Sequence, residues 1–318
     1  MRGYVVRRLL ALLPTLFLAS IIVFVTVRLI PGDVIELMLS QNDVSADKRS
    51  REELIAVLGL DVPMWQQYFR WIGAIVLRGD LGHSLWQGTS VASQLMSRLP
   101  VTFELGAIAL LVGLVIALPI GVYSAVRQDT RGDYLARSFS ILLLAVPSFW
   151  LGTMVVVFPS IWWGWSPPIE FTPFWQSPRR NLAQMLLPGI VLGAGLSAIT
   201  MRLTRTMMLE VLRQDYIRTA WAKGLSERLV ILRHALRNAL IPVITLVGLQ
   251  APLLIGGAVI IEQIFVIPGV GLLLLEAVQS RDYPIITGVF LMVGVAVMLI
   301  NLCVDLTYGF LDPKVRMR

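Results

Sequence analysis

The chain has 318 residues, 56% of them hydrophobic and 15% charged, with a formal net charge of +7 and a mean hydropathy of +0.75. A soluble globule carries about 25% charged residues, so the composition excludes an ordinary soluble fold and places the chain in a bilayer. A single cysteine, Cys303, excludes an intrachain disulfide, and the only two histidines, His83 and His234, are too far apart in sequence for zinc-site spacing.

Six uncharged apolar runs predict six spanning helices: Leu9–Val27, Leu105–Val126, Ser138–Trp163, Leu182–Met201, Ala239–Ile261 and Pro284–Val304. Each has about 19 residues or more, and at 1.5 Å rise each reaches the roughly 30 Å hydrocarbon thickness. No alternating strand pattern signals a barrel. The first run follows Arg7-Arg8 but exceeds the roughly 7–15 residues of a signal sequence, and no A-x-A site follows; it is expected to stay as an uncleaved span.

Between the first two runs lies a long loop, 31–104, the one region large enough for a small outer subdomain. Arg51–Leu58 and Pro63–Val76 read as helices within it. In the second, Trp65, Tyr68, Phe69, Ile72 and Val76 recur at helical spacing, so one face is expected to lie on protein or lipid. Arg78-Gly-Asp-Leu-Gly-His-Ser84 is a turn-rich closure. The third run is long and is expected to tilt, or to leave the bilayer near Pro159. Trp162, Trp163, Trp165 and Trp175 follow and fit an interfacial belt. After the fifth run, Ile264–Leu275 (IFVIPGVGLLLL) is too short to span and is broken by Pro268-Gly269, which fits a re-entrant or outer-lip element.

Charge gives direction. The N-terminus, the second connection, the fourth connection and the C-terminus carry 17 of the 27 basic residues, and all four fall on one side. By the positive-inside rule that side is cytoplasmic, with both termini there. The organisation reads as a tail and first span over 1–30, the outer loop 31–104, a five-span core 105–311 with a cytoplasmic loop at 202–238, and a tail 312–318.

That cytoplasmic loop is the most informative stretch, DYIRTAWAKGLSERLVILRHALRNALIP from Asp215 to Pro242. Residues Met208–Ala222 are helix-compatible, Gly224 supplies a break, and Ser226 is a good N-cap for a second helix through Asn238. Pro242 then opens the fifth span within its first turn. Ile217, Ala220, Trp221 and Leu225 form a small apolar ridge, flanked by Arg213, Arg218, Lys223 and Arg228. Such a segment can lie on lipid headgroups or insert into a groove on another protein.

At these residues the chain resembles a known family. Tyr216-Ile-Arg-Thr-Ala-Trp-Ala-Lys-Gly-Leu-Ser-Glu-Arg228, then Arg233-His-Ala-Leu-Arg-Asn-Ala-Leu-Ile-Pro242, is similar to the EAA loop of ABC importer permeases, and in particular to the B-type permease of dipeptide and oligopeptide (and nickel) importers. The likeness covers nearly the whole chain. It includes Leu58-Gly-Leu-Asp-Val-Pro63 with Gln67-Tyr68, Gly79-Asp-Leu-Gly-His-Ser84, Arg98-Leu-Pro-Val-Thr102 with Glu104, Glu262 with Phe265 and Pro268-Gly-Val-Gly271, and Asn301, Asp305, Tyr308 and Leu311-Asp-Pro-Lys314. Departures are Arg218-Thr219-Ala220 without the acidic residue of the general pattern, Pro31-Gly-Asp-Val34, and Leu272 after the PGVG string.

The resemblance implies an all-α, six-helix type I ABC importer permease. It implies that Tyr216, Ile217, Arg218, Thr219, Ala220, Trp221, Ala222, Lys223, Gly224, Leu225 and Ser226 form the coupling helix that fits a cleft on an ATPase subunit. It also implies a second homologous permease, two ATP-binding subunits and an extracytoplasmic solute-binding protein, in a bacterial inner membrane. No G-x-x-x-x-G-K-[ST] string occurs, so ATP and Mg are expected on partner subunits and no cofactor on this chain. Peptide is the expected cargo, with nickel, glutathione or oligosaccharide as alternatives in the same architecture. A self-contained secondary transporter would want inverted repeats and midplane ionisable residues, and neither is evident.

Charges at bilayer depth are costly and earn a role. Arg28 reads as a snorkelling anchor. Glu104 and Glu262, near the outer face, are expected to make structural or gate-stabilising pairs with Arg28, Arg98 or Arg281. Asp305 is expected to pair with Arg7, Arg8 or a loop arginine, and Asn301 to hydrogen-bond between helices. Gly189, Gly193, Gly195, Pro147 and Pro188 read as packing and kink residues, and Cys303 as inert packing.

Overall fold

The computed structural model describes residues 2–29, 55, 61–168 and 170–311, with side-chain detail between 8 and 304, residue 9 excepted. The helix expected at Arg51–Leu58 lies, but for Ile55, outside the described residues, as do 31–34 and the tail 312–318. Among the described residues every regular element is a helix; His83 and Ser90 add an isolated antiparallel bridge. The helices are α1 (Arg2–Arg28), α2 (Met64–Arg78), α3 (Val91–Val126), α4 (Arg131–Ala145), α5 (Ser148–Trp163), α6 (Pro178–Leu212) and α7 (Asp215–Ala222). Next comes α8 (Glu227–Phe265), with a π-helical stretch at Val230–Ala235, then α9 (Val270–Ser280) and α10 (Tyr283–Leu311).

Among the described residues five helices are long and apolar enough to cross a membrane, and α4 with α5 forms a sixth candidate bent by 92°. The break in this third span falls at Val146–Pro147, not near Pro159. A residue before proline is pushed out of the helical region, and Val146 is extended with φ −88° and ψ 119°. Pro159 sits inside α5, which runs on to a left-handed Gly164. Helix α3 begins well before the predicted Leu105. Its 36 residues span about 54 Å, so it projects beyond a roughly 30 Å hydrocarbon layer. Pro242 does not open a span; it lies inside α8.

The chain divides into two compact units, one of Leu99–Leu272 with the part of α10 from Leu299, the other of Arg2–Arg98 with Leu273–Met298. In the first unit, α6 packs against α3, α4, α5 and α8. Its core holds Leu105, Ala109, Met185, Val191, Leu196, Leu254, Ala258 and Ile261. A Cβ on Gly189 would strike Ile108, and one on Gly193 the Ala109 carbonyl, so α3 and α6 meet backbone to backbone. This is the small-residue packing that membrane helices use where apolar burial gives no net drive. Open space surrounds Gly195, which takes no part in that contact.

In the second unit, α2 packs on α1 through Tyr68, whose hydroxyl meets Ser20 Oγ at 2.8 Å and whose ring lies edge-on to Phe24. Trp65, Phe69 and Val76 face outward, so the expected one-sided face is divided between Tyr68 inside, a half-buried Ile72 and the other three outside. The turn-rich closure is fastened by Asp282, which is 2% exposed. Its carboxylate accepts from Ser84 Oγ at 2.5 Å and from Leu85 N–H at 3.3 Å. Trp86 Nε1 donates to the Ser280 carbonyl at 2.7 Å. Ile264–Leu275 is the end of α8, a tight turn at the Pro268-Gly269 break and the start of α9.

Candidate functional site

The basic segment folds as a short helix on a return. Helix α6 stops at Leu212, and Gln214 is extended at φ −74° and ψ 149°, which turns the chain into α7. At the far end Gly224 takes φ +75°, a left-handed conformation that suits glycine. Ser226 occupies the N-cap position but makes no side-chain cap; its carbonyl accepts from Val230 N–H at 3.1 Å. The second helix expected through Asn238 therefore has no end there: α8 continues from Glu227 to Phe265.

Helix α7 has two faces. Ile217 is fully buried and Ala220 is 7% exposed. They pack with Ala125 of α3, Met208 of α6, and Val230, Ala235 and Ala239 of α8, with Leu225 at the edge. Trp221 is 44% and Tyr216 43% exposed. The predicted ridge of Ile217, Ala220, Trp221 and Leu225 is thus divided: its first half is spent on the chain's own core. The seat is lined by alanines, and the indole stays at its rim. Tyr216, Arg218, Thr219, Trp221, Ala222, Lys223, Gly224 and Ser226 form the free surface. Asn238 Nδ2 donates to the Tyr216 hydroxyl at 2.8 Å, tying α7 to α8. The Asp215–Arg218 pair at 3.4 Å is solvated and contributes little.

Beside this seat stands a polar cluster that sequence reading missed. Arg205 Nε donates to Asp133 Oδ1 at 2.9 Å and Nη2 to Oδ2 at 2.7 Å. Ser124 Oγ donates to the same carboxylate and accepts from Arg205 Nε at 3.1 Å. The Asp129 N–H adds a bond at 3.1 Å. Asp133 is fully buried. In the sequence Arg205 is simply one of the basic residues of the fourth connection that set direction. A clue was available: Asp133 stands three residues after Thr130 among Arg127, Arg131 and Arg137, and Thr130 caps α4 by accepting from the Asp133 N–H.

Glu262 is fully buried and accepts from Thr102 Oγ1 at 2.6 Å and from Leu272 N–H at 3.0 Å. Thr102 Oγ1 in turn accepts from Val270 N–H at 2.9 Å. A hydroxyl and the glycine turn orient this carboxylate. Any Cβ on Gly269 or Gly271 would overlap it. Arg98 lies against Glu276 at 3.6 Å. The Arg28 guanidinium sits over the Phe24 ring, 5.2 Å from its centroid, a cation–π contact. Glu104 lies half-buried beside Asn181. Asn301 and Cys303 are exposed on α10. The side chain of Asp305 is outside the described residues.

Comparison with known proteins agrees with the helical plan. The family described as "Binding-protein-dependent transport system inner membrane component" matches residues 117–317, and the corresponding N-terminal family matches 1–106. The dipeptide transport system permease protein DppB of Escherichia coli K12 is 38% identical over 339 residues, with 99% of each chain covered. The oligopeptide transport system permease protein AppB of Bacillus subtilis is 39% identical over 323 residues, also with 99% of each covered. The glutathione transport system permease protein GsiC of Escherichia coli O6:H1 is 37% identical over 316 residues, again with 99% of each covered. Among solved structures, the inward-facing MetNI methionine ABC transporter aligns with a TM-score of 0.55 at 16% identity, over 70% of this chain and 97% of that one. An amino acid ABC transporter with histidines aligns at 0.53 and 12% identity, over 69% and 94%; these two likenesses speak for the fold alone. Full-length identity near 40% and a family match over most of the chain place it in one group: the chain belongs to the family of binding-protein-dependent transport system inner membrane components, as a multi-pass permease subunit of an ABC importer.

Proposed function

We propose that this chain is a permease subunit for di- and oligopeptides, driven by ATP hydrolysis on partner subunits that dock against α7. The observation that carries the reading is the division of α7. Ile217 and Ala220 fix it in the chain's own core, while Tyr216, Trp221 and Lys223 stay exposed on a rigid, short element. A seated helix with a free aromatic and basic face is suited to a groove on another protein. Because α3, α6 and α8 all supply the seat, a force on α7 enters three helices at once. The positive-inside rule puts this end, and both termini, in the cytoplasm of a bacterial inner membrane. On this reading 31–104 is an outer loop subdomain, 105–311 the permease core with its coupling loop at 202–238, and ATP and Mg are held by two ATP-binding subunits. A second, homologous permease completes the pathway and a solute-binding protein supplies cargo.

Peptide as cargo is supported by the names of the dipeptide and oligopeptide relatives. The relative named for glutathione favours a second reading within the same architecture. Uptake by the complete complex in vesicles, with its binding protein and internal ATP, decides between them. Labelled dipeptide should accumulate and unlabelled dipeptide should compete. Competition by glutathione alone would shift the cargo. Accumulation by this chain without partner subunits would overturn the reading of α7.

A further inference from the structure

We propose that Asp133, Arg205 and Ser124 form a positioning clasp that makes the ends of α3, α4 and α6 follow α7 as one body. Motion imposed on α7 then reaches the bent α4–α5 pair. The inference rests on α7 being the element that receives force.

The apolar seat of α7 has walls from α3 and α6, with Ala125 on one and Met208 on the other. The clasp lies immediately beside both. Ser124 precedes Ala125, and Arg205 lies three residues before Met208, on the same helix face. At the same level Gly121 of α3 has no room for a Cβ against Thr204 and the Met201 carbonyl of α6. These two walls are therefore in rigid contact. Helix α4 is different. Among the described residues, none of the core under α7 comes from α4. The first turn of α4 is held to that region by the Asp133 carboxylate, taken by Nε and Nη2 of Arg205 and by Ser124, beside Gly132, which has no room for a Cβ against Tyr123 of α3.

The chemistry suits the task. Apolar contact is non-directional and lets helices slide and roll. A two-point guanidinium–carboxylate bond fixes angle as well as distance. It is also all-or-nothing, because a carboxylate left without its partner inside the protein is costly. Asparagine at 133 keeps the shape and removes the charge. Lysine at 205 keeps the charge and removes the fork.

The test uses the complete complex in vesicles, with its partner permease, ATP-binding subunits and binding protein. Dipeptide accumulated per ATP hydrolysed is measured for Asp133→Asn and Arg205→Lys. Both variants should co-purify with their partners in normal proportion and hydrolyse ATP. Cargo moved per ATP should fall about tenfold, the scale of a lost charge-assisted hydrogen bond. A merely structural pair would lower transport and hydrolysis together, leaving their ratio unchanged; that result, normal transport, or failure of both variants to yield a complex would each overturn the clasp. Trp221→Ala, run in parallel, separates the two possible failures. Full coupling in that variant removes the reading of α7 and the clasp with it. Uncoupling there, alongside a normal Asp133→Asn, removes the clasp alone.

Discussion

The two ends of α8 are held in opposite ways. At its first turns α8 packs by apolar contact under α7, through Val230, Ala235 and Ala239, while the outer face of α7 stays open. At its last turn the Glu262 carboxylate is enclosed by Thr102, the Leu272 N–H and the crowding glycines of the following turn. The contrast separates two uses of polar and aromatic groups. Where a buried carboxylate draws its hydrogen bonds from its own chain, the residues serve the fold. Where the backbone is seated and the side chains are free, the residues are available to a partner.

Removing the enclosed carboxylate should break the contrast most severely. Glu262→Ala leaves the Leu272 N–H without its acceptor and opens a cavity in a packed turn. The expected loss is about 4 kcal/mol, read as a lower thermal midpoint of the purified complex and a lower yield. An unchanged midpoint would mean that Glu262 faces something other than its own turn. Ile217→Ala attacks the other end from beneath. The side chain is fully buried, so truncation should cost about 3 kcal/mol and loosen α7 on its seat. Limited proteolysis should then cut at 213–226 faster than in the native chain. Equal cleavage rates would show that the seat does not hold the helix.

These two residues also mark what could be read from the sequence. Run length identified five spanning helices and the bent pair that is the sixth candidate, because bilayer thickness and the cost of buried charge act on local composition. The basic segment announced itself by Gly224 between two helix-compatible stretches, and that glycine is left-handed as its position required. What local pattern does not encode is which neighbour each side chain meets. Asp133 and Arg205 are 72 positions apart, and Glu262 and Thr102 are 160 apart, so their bonds depend on how helices cross. The split of the ridge at Ile217 and Trp221 has the same origin: periodicity placed them on one side, and the alanine-lined seat decided how much of that side it would cover. The bend at Pro147 was hidden because an unbroken apolar run contains two prolines and no local signal ranks them.

Gly224 sharpens the comparison with a smaller effect. A Cβ there would meet nothing within 4 Å, yet φ is +75°. Bulk alone is tolerated and only the backbone resists. Gly224→Ala should cost about 1 kcal/mol, and Gly224→Asn less, because asparagine enters the left-handed region more readily. If both variants destabilised the complex as strongly as Ile217→Ala, the turn would be packed against something, and the open surface inferred around it would be wrong.

Trp221→Ala should alter stability least and association most. Its ring is 44% exposed at the rim of the seat, so truncation should move the unfolding free energy by less than about 0.5 kcal/mol. An exposed tryptophan on a seated helix is the kind of anchor whose loss weakens a protein–protein contact by about 2 kcal/mol. The purified variant should therefore keep its thermal midpoint and partner permease while retaining less ATP-binding subunit in a pull-down, by about thirtyfold in affinity. Ile217→Ala gives the opposite pattern, with lower stability and a binding defect that follows from it. Finding the same profile for both substitutions would erase the distinction between the two faces of α7, because a single apolar ridge, wholly inward or wholly outward, would respond alike at each position.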